Sequence, residues 1–294
     1  MTLTNKKILV VVNPISGDKD KEPIVKKIKE AVPNKNTLKI FKTTGEQDHQ
    51  KINELYKDYR ADRILVVGGD GTIKLVAECL KDVQPIIGII PCGSSNGLAK
   101  DLDIPKNIEE AIKVALDSCI IEMDSILIND TIGLHISDLG INAELIHNYS
   151  KTKVRGYFGY ALSSIPTLLN TDIPYTFEIK TENEHKVVSG IMLAFANSKK
   201  FGTGALVNPK GKINDGKFEI LVFKSLDVVS IFKTLFEEIK MDSDFVEVIQ
   251  TKQAKVTMEK PVYFQIDGEP HGKTSEVTVK MSANMLKIAV NSSS

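Results

Sequence analysis

The chain has 294 residues, 42% apolar and 26% charged, and its 38 basic side chains are balanced by 38 acidic ones. This is globular composition, not disorder, and the length suits one large or two ordinary domains with a substantial core. Zero net charge argues against a general nucleic-acid binder, whose footprint is a basic excess. Cys79, Cys92 and Cys119 form no C-x-x-C pair, which points to a reducing compartment. The first apolar run, Ile8 to Val12, is too short for a signal segment, and no stretch approaches the about 20 residues of a spanning helix. A soluble, cytoplasmic protein is expected.

Along the chain, the first part alternates between strands and helices. Ile8–Val12 reads as a buried strand and Glu22–Ala31 as a helix with Ile24, Val25 and Ile28 on one side. Thr37–Phe41 reads as a strand, Asp48–Tyr59 as a helix, Arg63–Val67 as a strand, Ile73–Leu80 as a helix and Pro85–Ile90 as a strand. Short continuous apolar strands between helices mark a parallel sheet covered on both faces. Ligands bind such sheets at the carboxyl ends of the strands, and glycine-containing loops follow Val12, Val67 and Ile90. From Ile120 onward strands dominate: Ile120–Ile128, Leu134–Ser137, Tyr175–Thr181, Gly190–Ala196, Phe218–Phe223, Phe245–Gln250, Lys255–Met258, Val262–Ile266, Val277–Met281 and Leu286–Val290. Two helical inserts, Tyr157–Leu169 and Val228–Ile239, interrupt them. The expected fold is an α/β N-terminal domain with a parallel Rossmann-like sheet, residues 1–124, and a mainly antiparallel β-sandwich C-terminal domain, residues 125–294. The last residues are free to return to the first domain.

The strongest local signal is Gly68-Gly69-Asp70-Gly71-Thr72, between a strand and a helix. Its glycines permit positive φ and close approach of a ligand, and the helix N-terminus offers N–H groups to phosphate. Asp70 repels phosphate unless a cation intervenes, so it reads as a base or a Mg²⁺-linked residue. Asn13-Pro14-Ile15-Ser16-Gly17 and Pro91–Ala99, with Ser94, Ser95 and Asn96, are loops of N-cap and donor residues at the other strand ends. Gly268–Thr274 is one residue short of a Walker loop and precedes a strand, which rules it out. Asp267-Gly268-Glu269 reads equally as a hairpin turn or as a carboxylate that takes a hydroxyl proton. Asn214-Asp215-Gly216 reads better as a turn than as a hard-cation site. The five histidines show no zinc spacing, and Cys92 reads as a small packing residue. Lys151, Lys153 and Arg155, before Gly156–Tyr160, read as a solvated lead-in to a helix or as a contact with an anionic lipid surface.

Taken together the motifs resemble the diacylglycerol kinase catalytic family, which includes sphingosine and ceramide kinases and soluble bacterial lipid kinases. The marks are Asn13-Pro-x-Ser-Gly17, Thr43-Thr44 with Asp48, Gly68–Thr72, Gly93-Ser-x-Asn96 with Leu98-Ala99, Gly140 with Ala143, Asn197, Pro209 with Asp215-Gly216, and Asp267-Gly-Glu269. The resemblance implies Mg²⁺-dependent transfer of the ATP γ-phosphate to a lipid hydroxyl, with nucleotide between the domains. Nucleotide contacts are expected from Asn13, Pro14, Ser16, Gly17, Thr43 or Thr44, Gly68, Gly69, Gly71, Thr72, Ile73, Lys74, Ser94 and Asn96. The family assigns the base to the position of Glu269 in bacterial members and to that of Asp70 in sphingosine kinases. A structural Mg²⁺ maps to Asp215 with the carbonyls of Lys212 and Lys217.

Two departures bear on specificity. Gly93-Ser-Ser-Asn96-Gly-Leu-Ala is similar to the sphingosine and ceramide kinase version and not to that common in bacterial diacylglycerol kinases, so the expected acceptor widens from diacylglycerol to a sphingoid base or another lipid. Lys74 stands where Asn is usual, either contacting phosphate or solvated. Transient docking of the protein on a membrane surface is expected, without a spanning helix or nucleic-acid partner, and a homodimer is left open. The rivals are phosphorylation of a soluble nicotinamide dinucleotide and a non-catalytic lipid- or nucleotide-binding protein.

Overall fold

The computed structural model describes residues 6–32, 34–80, 83–116, 119–150, 174–197, 200–201, 205–206, 211–225 and 246–292. The expected inserts Tyr157–Leu169 and Val228–Ile239, the Lys151–Arg155 cluster and Pro209 lie outside them. The chain divides into two compact units, Met1–Met123 with Ala283–Ser294, and Asp124–Ser282.

In the first unit the elements are β1 (Ile8–Val12), α1 (Glu22–Ala31), β2 (Leu38–Lys42), α2 (Asp48–Tyr59), β3 (Arg63–Gly68), α3 (Asp70–Cys79), β4 (Ile86–Pro91), α4 (Gly97–Asp101), α5 (Ile108–Leu116) and β5 (Ile120–Met123). Strands β1 and β3 are buried at every position, as a sheet covered on both faces requires. Helix α1 turns Ile24, Val25 and Ile28 inward and stops at Val32, which is extended ahead of Pro33. Its apolar face packs with Val10, Val12, Leu65 and Val67 and with Ile112 of α5. The sheet order is β2-β1-β3-β4-β18-β5, where β18 (Leu286–Ala289) comes from the end of the chain. Strands β2, β1, β3, β4 and β18 run parallel, and β5 is antiparallel to β18. The strand order reverses direction between β1 and β3, the switch point where such sheets bind ligands at their carboxyl ends.

The second unit holds β6 (Ile126–Ile128), β7 (Thr131–Gly133), β8 (Ile136–Gly140), α6 (Ile141–Ser150), β9 (Tyr175–Thr181), β10 (His185–Gly190), β11 (Met192–Ala196), β12 (Lys200–Phe201), β13 (Ala205–Leu206), β14 (Phe218–Phe223), β15 (Val246–Thr251), β16 (Gln253–Ile266) and β17 (Glu269–Met281). Strand β16 folds the antiparallel sheet over on itself. Its first half pairs with β9, its last residues pair with β8, and its register against β17 shifts between Thr257 and Val262. Pro261, which cannot donate a ladder bond, sits at that irregularity. The enclosed core includes Phe177, Ile179, Leu193, Phe195, Phe218, Val256 and Phe264. The intervening residues Ala194, Ala196 and Leu221 belong to a second cluster, so β11 and β14 are buried on both faces.

Several elements differ from the sequence expectation. Ile120–Ile128 is two strands, β5 and β6, in separate units. Lys255–Met258 and Val262–Ile266 are one strand. Leu286–Ala289 joins the parallel sheet, the return to the first unit that the sequence left open. Helix α4 follows the N-cap residues Ser94–Asn96 as expected, whereas α5 and α6 were not anticipated.

Candidate functional site

Three loops stack backbone against backbone at the carboxyl edge of the parallel sheet. Asn13 N–H donates to Val67 O at 3.0 Å and Cys92 N–H to Gly68 O at 2.7 Å, so the strand ladder continues into the loops. Gly17 has φ +60°, and a Cβ there would stand 2.4 Å from the Cys92 carbonyl oxygen. A Cβ on Gly93 would stand 2.5 Å from Gly69 Cα. Gly69 itself has φ −105°. The expectation of positive φ in this loop is therefore corrected at Gly69: a Cβ there would crowd Gly93 Cα at 3.0 Å, so close packing of the protein's own loops favours the glycine.

Side chains lock the stack. Asn13 Nδ2 donates to Thr72 Oγ1 at 3.2 Å, and Asn13 Oδ1 accepts Ile15 N–H at 3.2 Å. Ser16 Oγ donates to the Asn13 and Cys92 carbonyls. Asn96 is left-handed, with φ +53°, and exchanges two 2.8 Å hydrogen bonds with the Gly93 backbone. Thr43 N–H donates to Val12 O, beside Asn13. Asp48 accepts the N–H groups of Thr44 and Gly45 and the Thr44 hydroxyl. Burial pushes the Asp48 carboxyl up, but these donors and Lys51 outweigh it and hold it below its ordinary value.

The Asp70 carboxylate is held by backbone. Its Oδ2 accepts Gly97 N–H at 2.9 Å and its Oδ1 accepts Leu98 N–H at 3.0 Å. It caps α4, an interaction of about 1–2 kcal/mol. At the start of α3 the N–H groups of Thr72 and Ile73 donate to Gly69 O, whereas those of Asp70 and Gly71 donate no hydrogen bond among the described residues. The loop surface is carried by Pro14, Ile15, Thr44, Gly71 and Ser94, all exposed. Ile73 and Lys74 turn inward, 1% and 4% exposed, so Lys74 is not a solvated surface lysine. Burial raises the Cys92 thiol, as suits a packing residue.

The second unit carries the other candidates. Asp267 and Gly268, with φ of +51° and +87°, form a two-residue hairpin turn between paired Ile266 and Glu269. Asp267 accepts the N–H groups of Leu134 and His135, each at 2.9 Å. Glu269 is exposed. Gln265 supports the turn from beneath, its Oε1 accepting Gly268 N–H at 2.6 Å. Its amide nitrogen donates to buried Asp138, which also accepts Asn142 Nδ2 at 2.6 Å. Burial pushes the Asp138 carboxyl up to about 7 against these donors.

At the Asn214-Asp215-Gly216 turn, Asp215 is exposed and its Oδ1 accepts Lys217 N–H at 3.2 Å. Buried Asp124 lies below, accepting Gly216 N–H at 2.7 Å while its own N–H donates to Ile213 O. Burial raises the Asp124 carboxyl, the Gly216 N–H opposes this, and the Asp215 charge adds to it. Two mutually repelling carboxylates on a turn rich in carbonyls suit a hard oxygen-seeking cation. Among the described residues no group of three or more His, Cys, Asp or Glu side chains is placed to hold a metal. Sequence reasoning missed Asp124 and Asp138, whose signal was a carboxylate inside an apolar stretch.

Comparison with known proteins also finds two family models along the chain. The family model for the diacylglycerol kinase catalytic domain matches residues 7–128, and that for the YegS C-terminal NAD kinase β-sandwich-like domain matches residues 138–290. A probable lipid kinase YegS from Escherichia coli is 27% identical over 243 residues, 80% of each chain. A putative diacylglycerol kinase from Bacillus anthracis shares the fold, with TM-score 0.81 and 22% identity over 100% of this chain and 99% of that one. An NAD kinase from Archaeoglobus fulgidus, solved with ATP, shares it with TM-score 0.56 and 17% identity over 97% and 94%. The chain therefore belongs to the diacylglycerol kinase catalytic family, in the form that joins this catalytic domain to a YegS-type β-sandwich, and is a kinase.

Proposed function

We propose that the protein is a cytoplasmic lipid kinase that moves the ATP γ-phosphoryl group onto the hydroxyl of diacylglycerol or a sphingoid-like lipid. The observation that carries the reading is the division of labour among its motif carboxylates. Asp70 and Asp267 spend both oxygens on backbone N–H groups, whereas Glu269 is exposed beside a turn fixed from two directions. Glu269 is therefore assigned as proton acceptor and Asp70 as the residue that orders the loops.

Phosphoryl transfer depends on alignment and charge neutralisation more than on covalent chemistry. The N–H groups at the start of α3 and the Asn13–Gly17 turn hold the triphosphate. Glu269 takes the hydroxyl proton as the lipid oxygen bonds to the γ-phosphorus and the bond to the bridging oxygen breaks, releasing ADP. Mg²⁺ supplies positive charge, and Asp215 with the carbonyls of Lys212 and Lys217, beside Asp124, would hold a structural ion. No helix among the described residues is long and apolar enough to cross a membrane. Transient docking on the bilayer surface would deliver the lipid.

The test presents labelled ATP and Mg²⁺ with diacylglycerol, monoacylglycerol, a sphingoid base and ceramide in mixed micelles, and with oxidised nicotinamide dinucleotide in buffer. Label is expected in one lipid class, and Glu269→Gln is expected to lower kcat by about 100-fold or more with ATP affinity retained. Label found only in the dinucleotide would sink the lipid reading. An unimpaired Glu269→Gln would remove Glu269 from the mechanism.

A further inference from the structure

Lys21 follows the Asn13–Gly17 loop and directly precedes α1. A lysine there would ordinarily extend into solvent, yet Lys21 is 4% exposed. Its side chain folds back under the loop, and Nζ donates to Ser16 O at 2.5 Å and to Lys19 O at 2.6 Å. Among the described residues no carboxylate pairs with it. The nearest acids in sequence are engaged elsewhere: Asp20 accepts Glu22 N–H at 3.0 Å, and Glu22 pairs with Lys42. The field of Lys21 reaches the opposing loop, where it and Lys19 pull the Cys92 thiol down against burial.

An ammonium buried against two neutral carbonyls is costly unless an anion offsets its charge. A trans peptide points its C=O and N–H in opposite directions. Drawing Ser16 O toward Nζ therefore turns Gly17 N–H away from the ammonium. The lysine sits on one side of the turn and the donor points out of the other.

We propose that Lys21 is a positioning residue for the nucleotide, a fixed positive charge behind the Asn13–Gly17 turn that orients its N–H groups and offsets the charge of the bound phosphates. This rests on the nucleotide reading of that loop. It makes charge, and not hydrogen bonding alone, the property required at position 21.

Three substitutions separate the two. Lys21→Gln keeps an N–H donor and removes the charge, Lys21→Met removes both, and Lys21→Arg keeps both. Binding of ATP with Mg²⁺ is measured by displacement of a fluorescent nucleotide, and KM for the lipid acceptor is measured alongside. The expected result is a loss of ATP affinity of about tenfold or more in Lys21→Gln and Lys21→Met, within threefold of the parent in Lys21→Arg, with the acceptor KM unchanged. Wild-type affinity in Lys21→Gln would overturn the proposal, and so would an equal loss in Lys21→Arg. Should Lys21→Met fail to fold, the Gln and Arg pair still decides. Asn13→Ala distinguishes the two levels of argument. If it loses ATP while Lys21→Gln does not, only the role of Lys21 fails; if neither loses it, the nucleotide reading of the loop fails as well.

Discussion

The stacked loops of the first unit and the tight turns of the second use glycine for opposite reasons. In the stacked loops of the first, glycine makes room: a Cβ on Gly93 would collide with Gly69, and one on Gly17 with Cys92. At the turns of the second, Gly216, Gly268 and Gly272 have φ of +69°, +87° and +80° with nothing within 4 Å of where a Cβ would lie. The first site is thus assembled from backbone, and the second displays side chains on tight turns. The proposed function would divide the work along the same line, with N–H groups of the first unit for the phosphates and a carboxylate of the second for the hydroxyl proton.

The contrast predicts different penalties for the same substitution. Gly93→Ala must push two loop backbones apart, and we expect a loss of ~3 kcal/mol or more in unfolding free energy together with loss of ATP binding. Denaturant unfolding and nucleotide titration check both, and a loss confined to stability would mean that the loop stack does not form the binding surface.

A second prediction sharpens the account of the turn. The Asp138 carboxyl ionises near 3.8 when unfolded and about 7 when folded. Because the folded pKa is raised, its contribution to stability is intact below the unfolded value and is lost as pH rises through the folded one. The stability difference between the parent and Asp138→Asn should shift by at most ~4 kcal/mol across that window and stay flat on either side. Unfolding curves taken from pH 4 to 8 measure it, and a constant difference would show that Asp138 does not titrate.

The smallest effect is expected at Gly268→Ala. The new methyl meets no neighbour, so only the left-handed backbone is penalised, by ~1 kcal/mol. If this substitution proves as damaging as Gly93→Ala, the distinction between glycine for space and glycine for conformation breaks down.

Much of this was legible in the sequence, for identifiable reasons. The run Ile8–Val12 is uniformly apolar and Phe218–Phe223 is apolar except for Glu219, and burial on both faces is how such runs are satisfied. The glycine loops stood out because each follows a strand. Strand β16 was read as two because Glu259-Lys260-Pro261 interrupts its alternation, and the chain absorbs the interruption as a register shift. The roles of the carboxylates were hidden because their partners are distant in sequence: Asp70 caps a helix 27 positions on, and Asp267 fastens a segment 133 positions back. From the sequence Asp70 reads as a base or a Mg²⁺-linked residue, and only the fold adds that it accepts two N–H groups of α4.

The placement of β18 between β4 and β5 bears on how the protein is made. The other five strands of the parallel sheet have all been synthesised by Met123, but Leu286–Ala289 emerge only after the whole second unit. At ~5–20 residues per second, translation keeps the nascent sheet waiting roughly ten to thirty seconds for its missing strand. During that interval β4 is an open apolar edge of the kind that recruits stray strands, and β5 has no partner in its sheet. A substitution in Leu286–Ala289 would therefore act first on the folding yield of the N-terminal sheet, far from it in sequence.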